Sequence, residues 1–187
     1  MAINFGRRRV VLGGLAEGHM SDRDREVIYD LIVERRPTNL FEVGFMLGGG
    51  STYYISSALA NNKHGVLHSS DISTMGFNHV NDVYNNELPE LGKYVKFYLG
   101  DCRIVFPPIL SEIDSVDFVL LDGNSNAEET VSVYHMFAEK LSSGSLVALH
   151  DWADEKCRLV RPILEKSTSL NNIIKSNDSS LSVWEVA

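Results

Sequence analysis

Residues 39–52 read NLFEVGFMLGGGST. The stretch opens as a short apolar strand, Leu40 to Val43, then breaks into glycines at 44, 48, 49 and 50 before Ser51 and Thr52 start a helix. A strand that gives way to a glycine turn and re-emerges as a helix lets backbone N–H groups come close to a bound cofactor. We read it as the first half of a nucleotide-type cofactor site. The rest of the chain decides which cofactor.

Upstream, residues 1–20 show no period and form a lead-in segment. Ser21 and Asp24 have capping-box spacing, and Val27, Ile28, Leu31 and Ile32 give a helical stripe that Pro37 ends. Downstream, strand and helix alternate. Ser51 to Asn62 reads as a helix and GVLHSSDIS as a strand ending at Asp71, while residues 72–80 read as a loop. A weak helix precedes Pro89, and a strand over Lys93–Leu99 closes on Gly100 and Asp101. Pro107 and Pro108 require the following helix to be short or kinked.

VDFVLLDG, 116–123, is the clearest strand, and its near-continuous apolar run suits burial on both faces of a parallel sheet. Asn126 and Glu129 cap a helix that Gly144 is expected to stop, and SLVALHDW, 145–152, is a fifth strand. A helix around 153–166, broken by Pro162, leads to two weaker strands near 172–175 and 181–186 with the turn SNDSS between them. The whole predicts a doubly wound α/β, mostly parallel Rossmann-like sheet with a C-terminal antiparallel hairpin strand, in a single domain spanning 1–187.

Composition narrows the function classes. The chain of 187 residues has a formal charge of −8, which argues against a general nucleic-acid surface. Arg7, Arg8 and Arg9 form the one basic cluster, read as a solvated terminus. No apolar run approaches the roughly 20 residues of a membrane span. Cys102 and Cys157 give neither a disulfide framework nor a metal-type spacing, so a cytoplasmic setting is expected.

Each of the first five strands carries a carboxylate at or just past its end: Glu42, Asp71, Asp101, Asp122 and Asp151. Ligands of open α/β sheets bind beyond that edge, at the topological switch point. A single aspartate there is most simply a solvated strand end. Five in register with a glycine turn are costly in mutual repulsion unless something uses them. Glu42 is expected to accept backbone N–H bonds and brace the loop. Asp71, about 20 residues beyond Gly50, has the offset of an acid that grips a ribose diol. Asp101 is placed for an adenine amine, and Asp122 and Asp151 for the reaction centre.

The segments EVGFMLGGGST, SSDIS, YLGDCR, VDFVLLDG and LSSGSLVALHDW, in that order, resemble a class I S-adenosylmethionine-dependent methyltransferase, and in particular the small-molecule O-methyltransferases of bacteria. The resemblance implies that Glu42, Gly44, Gly48, Gly50 and Ser51 surround the methionine part of S-adenosylmethionine. It also implies that Asp71 binds the ribose, that Asp101 and Cys102 sit at the adenine, and that Asp122 lies below the methyl donor.

Two features depart from the family pattern. The first turn is one residue longer than E-x-G-x-x-x-G-x-S, so Ser51 falls one place late. Ser125 also stands where relatives often carry a histidine or lysine, and serine is a poor general base.

Three ways of handling an acceptor's proton stay open on the sequence. A divalent cation such as Mg2+ could be held by Asp122 and Asp151, His150 could be the base, or His19 could reach over from the lead-in segment. His64, His68, His79 and His135 support no specific claim. Residues 1–20, 72–80 and 123–127 are the segments available for recognition, and so shallow a frame suits a small hydroxylated acceptor, with a homodimer completing the pocket. The rival readings are an NAD-type Rossmann oxidoreductase, whose G-x-G-x-x-G spacing is not met, and a non-catalytic binding protein on a methyltransferase scaffold, for which Ser125 would be the marker.

Overall fold

The computed structural model describes residues 20–123, 126–175 and 180–187. Helix α1 (Asp22–Arg35) leads into β1 (Asn39–Val43), α2 (Ser51–Asn62), β2 (Val66–Asp71), α3 (Thr74–Asn86), the single turn α4 (Pro89–Gly92) and β3 (Val95–Leu99). Then follow α5 (Cys102–Ser111), β4 (Val116–Leu121), α6 (Ala127–Ala138), β5 (Leu141–Leu149), α7 (Arg161–Lys166), β6 (Leu170–Lys175) and β7 (Ser182–Val186). The seven strands lie in the order β3-β2-β1-β4-β5-β7-β6. Strands β1 to β5 pair in parallel, and β7 runs antiparallel to both β5 and β6. This is the expected doubly wound sheet with its antiparallel closing strand.

Alternation along the strands builds two cores. Leu40, Phe118, Leu120 and Ala148 face α1, α2 and α3 through Ile28, Ile32, Ile55, Leu59 and Val80. Phe41, Val119, Leu121 and Val147 face the opposite layer, packing on Phe106 of α5, Val133 and Phe137 of α6 and Leu164 of α7. Burial of both faces explains why β1 and β4 read as continuous apolar runs.

The caps follow the sequence closely. Ser21 Oγ accepts from Asp24 N at 3.2 Å and donates to Asp24 Oδ2 at 2.9 Å. The aspartate reciprocates through the hydroxyl, where a longer glutamate would reach back to the cap's own N–H. Asn126 accepts from Glu129 N at 2.9 Å and starts α6.

Three local expectations are corrected. Residues 74–80 belong to α3, started by Ser73, whose hydroxyl accepts from Gly76 N. The helix ahead of Pro89 therefore begins at Thr74, inside the stretch read as a loop. Helix α5, expected to be short or kinked, is ten residues long and holds Pro107 and Pro108 within it. Gly144 does not stop α6, which ends at Ala138; it lies inside β5 at φ +87°, where the pairing with β4 jumps from Val116↔Leu141 to Phe118↔Leu146. That bulge explains why the buried run begins only at Ser145. Finally, the segment after β5 forms a 3-10 turn, Glu155–Cys157, before α7.

Candidate active site

The order of strands reverses between β1 and β4, each of which leaves the sheet through a glycine at this switch point. Gly44 takes φ +94°, and a Cβ there would stand 2.5 Å from Gly123 Cα. Two cavities open beyond this crossing, and Gly44, Asp71 and Gly123 border both.

Glu42 is fully buried beneath the turn. Its carboxylate accepts from the Ser51 hydroxyl at 2.6 Å, the Thr52 hydroxyl at 2.7 Å and the Ser69 hydroxyl across the β1–β2 pairing. Three hydroxyls thus do the work expected of backbone N–H groups, and they tie β1, β2 and the start of α2 together. Burial pushes its carboxyl up to about 7; the hydroxyl bonds oppose this and the charge of Asp122 adds to it. Ser51, late by one position in sequence, sits at the first residue of α2 and still reaches Glu42. The extra residue lengthens the turn and leaves the helix start in place.

Gly48 and Gly50 divide the labour. Gly50 borders the larger cavity. Gly48 turns away from it at φ +73°, where a Cβ would stand 2.8 Å from Val80 Cγ1, and its carbonyl accepts from Tyr84 Oη at 2.9 Å. A Cβ on Gly76 would likewise collide with the Met46 carbonyl oxygen at 2.4 Å. Helix α3 therefore clamps the glycine turn from outside, in place of the acceptor loop expected over 72–80. Asp71 fixes the turn from below: Oδ2 accepts from Met46 N at 2.9 Å and Oδ1 from Ser73 N at 2.8 Å.

The smaller cavity, about 240 Å³, is lined by Ser70, Asp71, Gly100, Asp101, Cys102 and Arg103 among others. Asp101 caps α5 by accepting from Arg103 N and pairs with the Arg103 guanidinium, which is foremost in holding its carboxyl below the usual range. Burial pushes the Cys102 thiol up to about 11, so it stays protonated. Ser70 was not anticipated from sequence. It is 1% exposed, and its hydroxyl has no hydrogen-bond partner among the described residues. Alternation along β2 was the available signal, because Ser69 turns to Glu42 and Ser70 must face the other way.

The larger cavity, about 310 Å³, is bordered by Met20, Phe45, Asp122, His150 and Asp151 besides the glycines. Here β4 and β5 end side by side. His150 Nδ1 lies 2.9 Å from Asp122 Oδ1 and 3.3 Å from Asp151 Oδ1, and Nε2 lies 3.3 Å from Ser180 Oγ. Lys156, which the sequence did not single out, reaches in from the 3-10 turn. Its Nζ lies 2.8 Å from Asp151 Oδ2, 3.2 Å from Asp122 Oδ1 and 3.1 Å from the Asp122 carbonyl.

Burial opposes the charges on Asp122, His150 and Lys156, and their partners outweigh it. Asp122 is held below its usual range by His150 and Lys156, while His150 and Lys156 are held above theirs chiefly by Asp122. Trp152 packs on Trp184 at 5.8 Å between ring centroids. His19 and Ser125, and residues 176–179 of the SNDSS turn, lie outside the described residues.

Comparison with known proteins agrees with the fold. The chain superposes on the O-methyltransferase from Bacillus cereus in complex with SAH, with TM-score 0.71 and 15% identity over 92% of this chain and 84% of that one. For the O-methyltransferase TomG from Streptomyces achromogenes, involved in tomaymycin synthesis and bound to SAM, the values are 0.69 and 15% over 92% and 82%. For the SAH-bound methyltransferase PaMTH1 from Podospora anserina they are 0.69 and 11% over 90% and 80%. No curated protein matches by sequence. A family model described as a methyltransferase domain matches residues 41–152, from the strand that carries Glu42 to the tryptophan after Asp151. With that match covering more than half its length, the chain belongs to this family of methyltransferase domains.

Proposed function

We propose that the protein transfers a methyl group from S-adenosylmethionine to a hydroxyl of a small acceptor. The observation that carries this reading is the pair of cavities meeting at Gly44, Asp71 and Gly123. One offers a ribose-type acid and a buried, unpartnered Ser70 hydroxyl, which suit the nucleoside. The other ends at Asp122, His150 and Asp151, which suit the methyl acceptor. The O-methyltransferases named above, bound to SAM or SAH, support the choice of cofactor.

Bound S-adenosylmethionine would supply a sulfonium-activated methyl carbon. The chain's own part is to bind, orient and move a proton. Each Asp71 oxygen already accepts one backbone N–H and keeps capacity for one ribose hydroxyl. Asp122, kept ionised by His150 and Lys156, accepts a hydrogen bond from the acceptor hydroxyl and aims its oxygen. As a C–O bond formed and the sulfonium's C–S bond broke, that hydroxyl would become strongly acidic, and the Asp122–His150 pair would take its proton. This order needs no strong base, so Ser125 is no obstacle to it.

An NAD-dependent reading is disfavoured by Glu42. A dinucleotide's pyrophosphate sits at the N-terminus of the helix after the glycine turn, and here a buried carboxylate occupies the underside of that terminus. Calorimetry with S-adenosylhomocysteine and with NAD tests the choice. One molecule of S-adenosylhomocysteine per chain and no NAD is the expected result; NAD binding alone would overturn it. Transfer of labelled methyl to a panel of phenols and sugars then separates an enzyme from a non-catalytic scaffold.

A further inference from the structure

We propose that Lys156 is a built-in cation that takes the place of a divalent metal at the acceptor side, so that this centre works without one. Asp122, His150 and Asp151 each bring a potential ligand atom within 4.8 Å of the others, an arrangement that invites a metal assignment. The detailed contacts do not fit it. His150 Nδ1 sits 2.9 and 3.3 Å from two carboxylate oxygens. Ionised carboxylates only accept, so that nitrogen carries a hydrogen and has no lone pair to give a metal. Two carboxylates remain, enough to hold Mg2+ with its waters only if they are free to do so.

Those two carboxylates already share a cation. An ammonium has three N–H donors, and Lys156 Nζ has three acceptors: Asp151 Oδ2 at 2.8 Å, Asp122 Oδ1 at 3.2 Å and the Asp122 carbonyl at 3.1 Å. Its side chain is 13% exposed. The two carboxylates sum to a charge of about −2, which suits a divalent ion, and the ammonium cuts this to about −1 while repelling any second cation beside it. The chain is wound to make this contact. Asp151 takes φ +55°, Asp154 N donates to the Asp151 carbonyl at 2.9 Å, and the 3-10 turn carries Lys156 back over the strand ends. Lys156 is a positioning residue: its donors are spent on Asp122 and Asp151, and through them it sets where an acceptor oxygen is held.

The inference rests on reading this edge as the acceptor side of a methyltransferase, but its test needs no acceptor. Electron paramagnetic resonance of Mn2+ added to the full chain measures uptake directly. Wild type is expected to bind no stoichiometric Mn2+ at millimolar concentration, whereas Lys156→Met tightens binding by roughly tenfold or more by uncovering both carboxylates. Asp151→Asn in the Lys156→Met background should remove that binding, and Lys156→Arg, which restores a charge, should behave like wild type. One Mn2+ per wild-type chain at micromolar concentration would overturn the proposal, as would a folded Lys156→Met no tighter than wild type. Should Lys156→Met fail to fold, wild-type melting decides: equal temperatures in Mn2+ and in chelator support the proposal, and a rise with Mn2+ that Asp151→Asn abolishes refutes it. Binding of S-adenosylhomocysteine in the same samples tests the methyltransferase reading separately.

Discussion

Gly44 and Gly123 touch backbone to backbone: a Cβ on either would stand 2.5 Å or 2.8 Å from the other's Cα. No side chain fits at either position, and Gly44 also holds a positive φ. Gly44→Ala should therefore cost about 2–4 kcal/mol from overpacking and backbone strain together. Gly144→Ala is the control. Its φ is also positive but nothing lies within 4 Å of the added carbon, so only the backbone part, about 1 kcal/mol, is lost. Urea unfolding of both variants checks the ranking, and equal losses would refute the crossing as the cause.

Glu42 makes stability depend on pH in an unusual direction. Its carboxyl stands near 7 in the fold against an ordinary 4.5, so the fold favours the protonated form. That contribution is fully present below about 4.5 and is lost as pH rises through about 7, amounting to about 3 kcal/mol. Glu42→Gln cannot ionise. Its unfolding free energy relative to wild type should improve by about 2–3 kcal/mol between about pH 5 and about pH 8. A difference that does not change with pH would show that Glu42 titrates normally.

Ser70 and Asp71 are neighbours with opposite expected signatures. Removing the Ser70 hydroxyl breaks no described hydrogen bond, so Ser70→Ala should hold or slightly raise stability. The same change should weaken S-adenosylhomocysteine by roughly three- to tenfold if the ligand supplies the missing partner. Asp71→Ala removes the acceptors of Met46 N and Ser73 N and should cost about 1–3 kcal/mol in the empty protein. Its ligand affinity should fall by roughly a hundredfold or more. Calorimetry beside thermal melting separates the two. Unchanged affinity in Ser70→Ala would mean that its hydroxyl faces water.

His150 gives a prediction in the site itself. Asp122 outweighs burial and holds its imidazole above the ordinary range. Asp122→Asn should therefore lower the His150 pKa, moving its midpoint to more acid pH in an NMR titration. An unmoved midpoint would show that the 2.9 Å contact does not persist in solution.

The strands and their acidic ends were legible because both follow from local rules. A strand buried on both faces must be apolar, and a site at a switch point must lie past the strand ends. Helix α3 was not legible, because Gly76, Asn78, Asn81, Asn85 and Asn86 mask an apolar stripe whose value lies in pressing on the glycine turn. Gly48 reads as a cofactor glycine but serves Val80 and Tyr84, a relation that exists only in three dimensions. Lys156 was hidden by the expectation of a helix around 153–166, broken only at Pro162; the tighter 3-10 turn and the left-handed Asp151 bring its ammonium between the two carboxylates.

The placement of β4 between β1 and β5 also bears on how the chain emerges from the ribosome. Leu40 to Val43 pair on one side with residues 67–70, which are made soon after, but on the other side with residues 118–121. Until that second segment is synthesised, the most apolar edge of the nascent sheet stays open, a template for wrong partners. The Gly44–Gly123 crossing cannot close before then. The glycine turn is thus encoded early and closed late, with one edge of β1 unpaired in the interval.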